Sequence, residues 1–332
     1  MSNQFLVTGG AGFIGSNIVS ELLRRGENVR ILDNFSTGRW ENIQSLVHNQ
    51  NLEVIEGDLR SFHTVRKAVR GVDFVLHQGA LPSVPRSIDD PITTNDVNIL
   101  GTLNILEAAR EFQVKRVIYA SSSSVYGNNP TMPKSEDLPI DPLSPYALSK
   151  YAGERYCQHY HSIYGLETVC LRYFNVFGPN QNPNSQYSAV IPKFISAIIN
   201  GQPPTIHGDG KQNRDFTYVA NNVHANIKAC FQPGIAGQAF NIACGKRYTL
   251  VELVKTINAI LGAQVKPLFS DTRVGDVKHS LADISKARKF LGYEVIVDFV
   301  EGIEKTVDSI QRRRHPNLMH ERRKVKSMEA AL

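Results

Sequence analysis

A doubly wound α/β fold with a smaller, discontinuous second lobe is what this 332-residue chain predicts, on three observations. Gln4-Phe5-Leu6-Val7-Thr8 is an apolar run of strand length; Gly9-Gly10-Ala11-Gly12-Phe13-Ile14-Gly15 follows it, and a helical pattern opens through Ile18, Val19, Leu22 and Leu23. A second strand-like run, Asn28 to Asp33, ends in an acid about 20 residues beyond the glycines. Strand-like and helix-like segments then keep alternating, the pattern of a parallel sheet with crossover helices.

The first unit carries the most chemistry. A strand, a glycine turn and a helix let the backbone approach a pyrophosphate resting on the helix N-terminus, so Gly9, Gly12 and Gly15 are candidate dinucleotide contacts. Asp33 stands where a carboxylate holds both adenosine ribose hydroxyls; it would repel a 2′-phosphate, which favours NAD over NADP. Further strands fit residues 52–56, 73–77, 116–121 and 168–171, with amphipathic stretches at 61–69 and 97–112 between them. From Gly178 the pattern breaks into Pro, Asn and Gly-rich turns around 180–188, which predicts irregular substrate-binding segments. Residues 238–243 read as a strand again. The expected division is a cofactor domain from 1–175 and 215–245, a substrate lobe from 176–214 and 246–314, and a basic, solvated tail at 315–332.

Composition narrows the function class. The four cysteines are scattered without close pairing, which suits a reducing compartment and argues against a zinc site. The formal charge of +6 lies largely in Arg312-Arg313-Arg314 and the tail, not in one long stripe, so nucleic acid is not expected as a partner. Neither a signal peptide nor an apolar run approaching ~20 residues is seen, so no membrane contact and a cytoplasmic location are expected.

Tyr146 and Lys150 form the candidate catalytic pair, because four-residue spacing on a helix puts a phenol beside an ammonium. A free tyrosine titrates near ~10, and a neighbouring cation favours the phenolate, giving a base at neutral pH. An ordinary surface helix offers the same spacing; the surrounding motifs decide between the two. Apolar residues cover more than one face of residues 98–112 and of the stretch from Tyr146 to Tyr164, and pairing with symmetry mates would give a homodimer through a four-helix contact.

Taken together, Thr8 to Gly15, Asp33, Ser121-Ser122-Ser123-Ser124-Val125-Tyr126-Gly127 and Tyr146 to Lys150 resemble the extended short-chain dehydrogenase/reductase family, in its nucleotide-sugar epimerase branch. The likeness continues through Leu171-Arg172-Tyr173-Phe174-Asn175-Val176-Phe177-Gly178-Pro179, Gly208-Asp209-Gly210, Arg214-Asp215-Phe216 and Arg273-Val274-Gly275-Asp276, spanning roughly residues 4 to 312. It implies a Rossmann-type sheet, bound NAD and a UDP-sugar substrate.

Carried over position by position, the resemblance implies a cofactor site of Gly9, Gly12, Phe13, Ile14 and Gly15 at the pyrophosphate. Asp33, Asn34, Ser36, Thr37 and Gly38 fall at the ribose, Asp58 and Leu59 at adenine, and Gln78, Ala80, Asn98, Tyr146, Lys150 and Tyr173 beyond. Gly79 departs from the family's usual second alanine. Ser122 matches the catalytic hydroxyl beside Tyr146 and Lys150, with Ser123 and Ser124 next to the sugar. The remaining substrate contacts implied are Ser83, Val84, Asn175, Ala189, Val190, His207, Arg214, Arg273, Asp276 and Ser280. Arg214 and Arg273 would fork onto the diphosphate. His207 stands where many relatives stack Tyr or Phe on uracil.

Within the branch, Ser124 replaces the acid that dehydratases carry before Val-Tyr-Gly, which implies 4-epimerisation. Ser280 stands where glucose-restricted epimerases carry a bulky tyrosine, leaving room for a 2-acetamido group. Pro82 departs from the acetamido subgroup's glycine, and Asn175 from the threonine of uronate epimerases. The expected reaction is interconversion of UDP-N-acetylglucosamine and UDP-N-acetylgalactosamine, with UDP-glucose 4-epimerisation and UDP-glucuronate 4-epimerisation as alternatives. A non-catalytic NAD sensor on the same fold is the competing class; retention of both Tyr146 and Lys150 speaks against it.

Overall fold

The structure, a computed structural model, describes residues 2–182, 189–271 and 279–314. Its first half alternates as the apolar runs predict: β1 (Gln4–Thr8), α1 (Phe13–Arg24), β2 (Asn28–Asp33), β3 (Leu52–Glu56), α2 (Phe62–Val69) and β4 (Phe74–His77). Two short helices, α3 (Val84–Asp89) and α4 (Pro91–Asn95), lead through a π turn, Asp96–Leu100, into α5 (Gly101–Glu111). Then come β5 (Arg116–Ser122), the long α6 (Pro145–Tyr164) and β6 (Thr168–Tyr173).

The second half is built from shorter pieces: β7 (Val176–Phe177), α7 (Val190–Ile199), β8 (Thr205–His207), β9 (Asn213–Arg214) and β10 (Thr217–Tyr218). It continues with α8 (Val219–Phe231), β11 (Gln238–Ile242), β12 (Tyr248–Thr249), α9 (Leu250–Leu261), β13 (Leu268–Ser270) and α10 (Phe299–Arg314).

Seven strands form one parallel sheet in the order β11-β6-β5-β4-β1-β2-β3, which reverses direction between β1 and β4. Both faces are covered, which is why its strands read as continuous apolar runs. Along β1, Phe5 and Val7 enter one core cluster while Leu6 enters the other. The small pairs β7–β10, β8–β13 and β9–β12 sit apart from this sheet.

Helix α6 starts where its sequence dictates. The Ser144 hydroxyl accepts the Ala147 N–H at 3.1 Å, Pro145 fills the first position, and Gly165 closes the helix at φ 72°. The helix expected over 97–112 is formed up to Glu111, but its first turn, Asp96–Leu100, is wound as a π turn that joins α4 to α5 without a break, a departure frequent at functional sites. All four cysteines are free and buried. Among the described residues, no helix is long and apolar enough to cross a membrane and no cluster of His, Cys, Asp or Glu could hold a metal ion.

Candidate active site

A cavity of about 730 Å³ opens at the carboxyl ends of β1, β2, β4 and β5, where the strand order reverses and ligands of open parallel sheets bind. Gly9, Gly12 and Gly15 line it, and their missing side chains are a steric requirement. A Cβ on Gly15 would lie 2.1 Å from the Gly9 carbonyl oxygen, and one on Gly9, at φ 65°, would lie 2.8 Å from the Gly79 backbone. Gly12 precedes α1, whose first turn receives no side-chain cap, so its N–H groups face a cavity also lined by Phe13 and Ile14. That donor set fits a dinucleotide pyrophosphate.

At the β2 end, the Asp33 carboxylate accepts the Ala11 N–H at 2.9 Å and the Phe35 N–H at 2.8 Å. Burial pushes its carboxyl up and these two bonds pull it down. Gly38 must be bare, because a Cβ there would lie 2.7 Å from an Asp33 oxygen. Asn34, Ser36, Thr37, Asp58 and Leu59 line the same end, and Asn34 Nδ2 donates to Asp58 at 2.9 Å. The Arg60 guanidinium holds Asp58 at about 2. Midway, Gln78 and Ala80 line the wall with Tyr173, whose hydroxyl donates to Gln78 at 3.2 Å. Gly79 also lines it, donating its N–H to Thr8 Oγ1 at 3.0 Å.

Tyr146 and Lys150 reach the cavity from the first turns of α6. Lys150 Nζ donates to the Ala120 carbonyl at 2.8 Å and lies 5.1 Å from the Tyr119 ring. Burial draws its ammonium down to about 8, against the pull of Cys157 and Glu154. Tyr146 is half-buried by exposed area, yet the protein packed around it pushes its phenol above the usual value, while a hydrogen bond with Ser122 pulls it down. The Lys150 ammonium is turned to the Ala120 carbonyl, and Ser122 is the group that hydrogen-bonds the phenol.

Ser122 ends β5; its hydroxyl oxygen accepts the Ser124 N–H at 3.2 Å and the Ser124 hydroxyl at 2.8 Å. Ser123 opens the following turn. A buried ion pair fixes this corner. Arg172 on β6 meets Glu154 on α6 at 2.8 Å, Ser121 donates to the same carboxylate, and Arg172 also donates to the Tyr126 hydroxyl at 2.8 Å.

The remaining residues fall into two groups. Ser83, at φ 97°, and Ala189 line the cavity; Val84 is exposed at the start of α3 and Val190 opens α7. A second cluster gathers around Asn175, whose Nδ2 donates to the Asp215 carbonyl at 3.1 Å and to Ser280 Oγ at 3.3 Å. Ser280 N–H donates to the Asn213 carbonyl at 3.1 Å beside Arg214 on β9, and His207 Nδ1 lies 2.8 Å from Ser270 Oγ. Arg273 and Asp276 lie outside the described residues, as does Tyr187-Ser188. Asn98 is placed otherwise than expected. It is 1% exposed and sits behind the wall, bonded to Leu81 and Ser149, while its neighbour Val97 lines the cavity.

Arg39 and Arg86 line the cavity and escaped the sequence reading. Arg39 follows the ribose loop after β2 and Arg86 lies in the last turn of α3.

Residues 5–243 match the model of the NAD dependent epimerase/dehydratase family. The chain belongs to that family. Its cofactor is accordingly NAD, and the glycine cradle and Asp33 fit it. This family member is 39% identical over 305 residues to a UDP-glucose 4-epimerase of Mycolicibacterium smegmatis, covering 91% of this chain and 97% of the relative. Among solved structures, it resembles a UDP-N-acetylglucosamine 4-epimerase from Methanobrevibacter ruminantium bound to UDP-N-acetylmuramic acid, at 42% identity and a TM-score of 0.90 over 94% of this chain and 99% of that one. A UDP-glucuronic acid 4-epimerase from Bacillus cereus, complexed with UDP-glucuronic acid and NAD, matches at 33% identity and a TM-score of 0.86 over 93% and 99%.

Proposed function

We propose that this enzyme is a UDP-hexose 4-epimerase that interconverts UDP-N-acetylglucosamine and UDP-N-acetylgalactosamine, and that it also accepts UDP-glucose and UDP-galactose. The general 4-epimerase reading is supported by relatives that bear that name for three different sugars. The acetamido reading rests on Ser280, a small side chain held against Asn175 at 3.3 Å. Pro82, which lines the cavity with its φ fixed where the acetamido subgroup has glycine, speaks against strict preference for acetylated sugars.

NAD, held along Gly9, Gly12, Gly15 and Asp33, supplies the acceptor and then the donor for the hydrogen at C4 of the sugar. The protein handles the proton. Tyr146 Oη takes it from the 4-hydroxyl while Ser122 Oγ orients that hydroxyl, and the 4-keto sugar that forms is held through its diphosphate. The ketose turns about its phosphate linkage, so that the hydrogen would return to the other face of C4 while Tyr146 gives its proton back to the 4-oxygen. Burial raises the Tyr146 phenol, and positive charge beside it favours the phenolate that acts as the base. Ser124, bonded to Ser122, offers no acid for water elimination. The reading includes a cytoplasmic homodimer joined through the outer faces of the π turn and α6.

The test is incubation of purified protein with UDP-N-acetylglucosamine, UDP-glucose and UDP-glucuronate in separate reactions, with the epimers resolved by NMR. Interconversion of the first is expected, without net NADH release; no interconversion of it sinks the acetamido assignment. Bound NAD with no turnover of any sugar would point to the sensor instead.

A further inference from the structure

Behind the cofactor wall runs a chain of buried polar side chains that the reaction does not use. Gly79 N–H donates to Thr8 Oγ1 at 3.0 Å, and Thr8 Oγ1 lies 2.7 Å from His77 Nδ1. His77 Nε2 lies 3.0 Å from Thr102 Oγ1, which donates to the Asn98 carbonyl at 2.6 Å. The Asn98 side chain then takes over. Its Oδ1 accepts the Leu81 N–H at 2.7 Å, and its Nδ2 donates to the Leu81 carbonyl at 3.1 Å and to Ser149 Oγ at 3.0 Å. Ser149 Oγ ends the chain by donating to the Tyr146 carbonyl at 2.8 Å.

The hydrogens in this chain have one arrangement. The Thr102 hydroxyl spends its hydrogen on the Asn98 carbonyl, so it must accept from His77, and Nε2 carries the proton. A neutral His77 then accepts at Nδ1 from the Thr8 hydroxyl, whose oxygen is already the acceptor for Gly79. Burial holds His77 neutral, at about 3. Thr8, His77, Asn98, Thr102 and Ser149 are each at most 1% exposed, and every donor named has its acceptor. A fully satisfied buried network of this kind is rigid, and bonds aligned head to tail strengthen one another.

We propose that Asn98 and Ser149, held by Thr8, His77 and Thr102, are positioning residues that clamp the loop after β4 to the first turn of α6 and so set the distance from the cofactor groove to Tyr146. Gly79 lines the groove and Leu81 follows it, while Tyr146 is the residue whose carbonyl receives the last bond. The clamp joins the two walls between which the sugar must react. A displacement of about 1 Å in such a geometry is enough to cost up to a hundredfold in rate.

Ser149→Ala is the deciding variant, because alanine is a good helix former and the change leaves the helix bonds of α6 in place. Two readouts separate positioning from mere support. First, amide hydrogen exchange at Gly79 and Leu81, neither of which bonds Ser149, should speed up about tenfold, with melting temperature and bound NAD unchanged. Second, kcat on UDP-N-acetylglucosamine should fall about tenfold at a nearly unchanged KM, with Ser149→Thr restoring most of it. The second readout rests on the proposed substrate; if the wild type does not turn that sugar over, the substrate reading fails while the exchange result still decides the clamp. Faster exchange confined to residues 146–150, or an unchanged kcat, overturns the inference. So do strictly additive losses when Ser149→Ala is combined with His77→Gln, because members of one chain must couple.

Discussion

At the scale of single residues, environment sets what each titratable group can do. His77 and Lys150 are both buried bases, and burial disfavours the charge on each. For His77 the sign of the pH effect follows directly. The unfolded chain takes up a proton as pH falls through about 6.5, whereas the folded protein resists until about 3. The stability owed to a neutral His77 is therefore complete above about 6.5 and drains as pH falls toward 3. His77→Gln should flatten the acid limb of melting temperature against pH relative to wild type; an unchanged limb would mean that carboxylates alone carry it. Ser280 invites a different experiment at this scale. Ser280→Tyr should cut kcat/KM on UDP-N-acetylglucosamine by at least about tenfold while sparing UDP-glucose. Equal loss on both sugars would refute its role as a gate.

At the scale of elements, glycines decide where backbones can meet. Gly15→Ala forces a methyl to within 2.1 Å of the Gly9 carbonyl, so the start of α1 must move. The expected outcome is loss of co-purifying NAD together with destabilisation of about 1–3 kcal/mol, read as NAD released on denaturation and as a lower melting temperature. How far such elements are legible beforehand depends on how local their causes are. The strands β1 to β6 follow from apolar runs, because burial on both faces leaves an unbroken signal. The start of α6 follows from Ser144 and Pro145. By contrast, α3 and α4 follow Pro82 and contain Pro85 and Pro91, with no long apolar run to mark them, and two-residue pairs such as β9–β12 are created by distant chain segments. In the site, Tyr146, Lys150 and the glycines were legible from spacing, and all of them line one cavity. Asn98 was not, since sequence names the residue but the π turn decides that its side chain faces Leu81 and Ser149.

At the scale of the whole molecule, the sheet is sealed on both faces while one outer surface stays apolar. Ile105, Leu106 and Tyr160 pack inward, so part of the two-faced pattern in these helices serves the protein's own core. Leu148, Ile163 and Tyr164 on α6, with Leu100 in the π turn and Ile92 on α4, remain exposed, Ile92 by 75%. Burying this patch against a second copy is the basis for the proposed dimer. Light scattering should give twice the mass of 37.0 kDa for wild type, and Leu148→Glu combined with Ile163→Glu should give the single-chain mass. A wild-type monomer at micromolar concentration would end that proposal.

The burial of all four cysteines has a practical consequence. Thiols sealed inside the fold, with a hydrogen bond to Cys157 and burial raising that of Cys170, and burial raising those of Cys230 and Cys244, present little thiolate to an electrophile. The native protein is thus close to silent toward maleimide dyes. A Val300→Cys variant would take up one label per chain at a position that is 46% exposed on α10, giving a spectroscopic ruler without first stripping the natural cysteines.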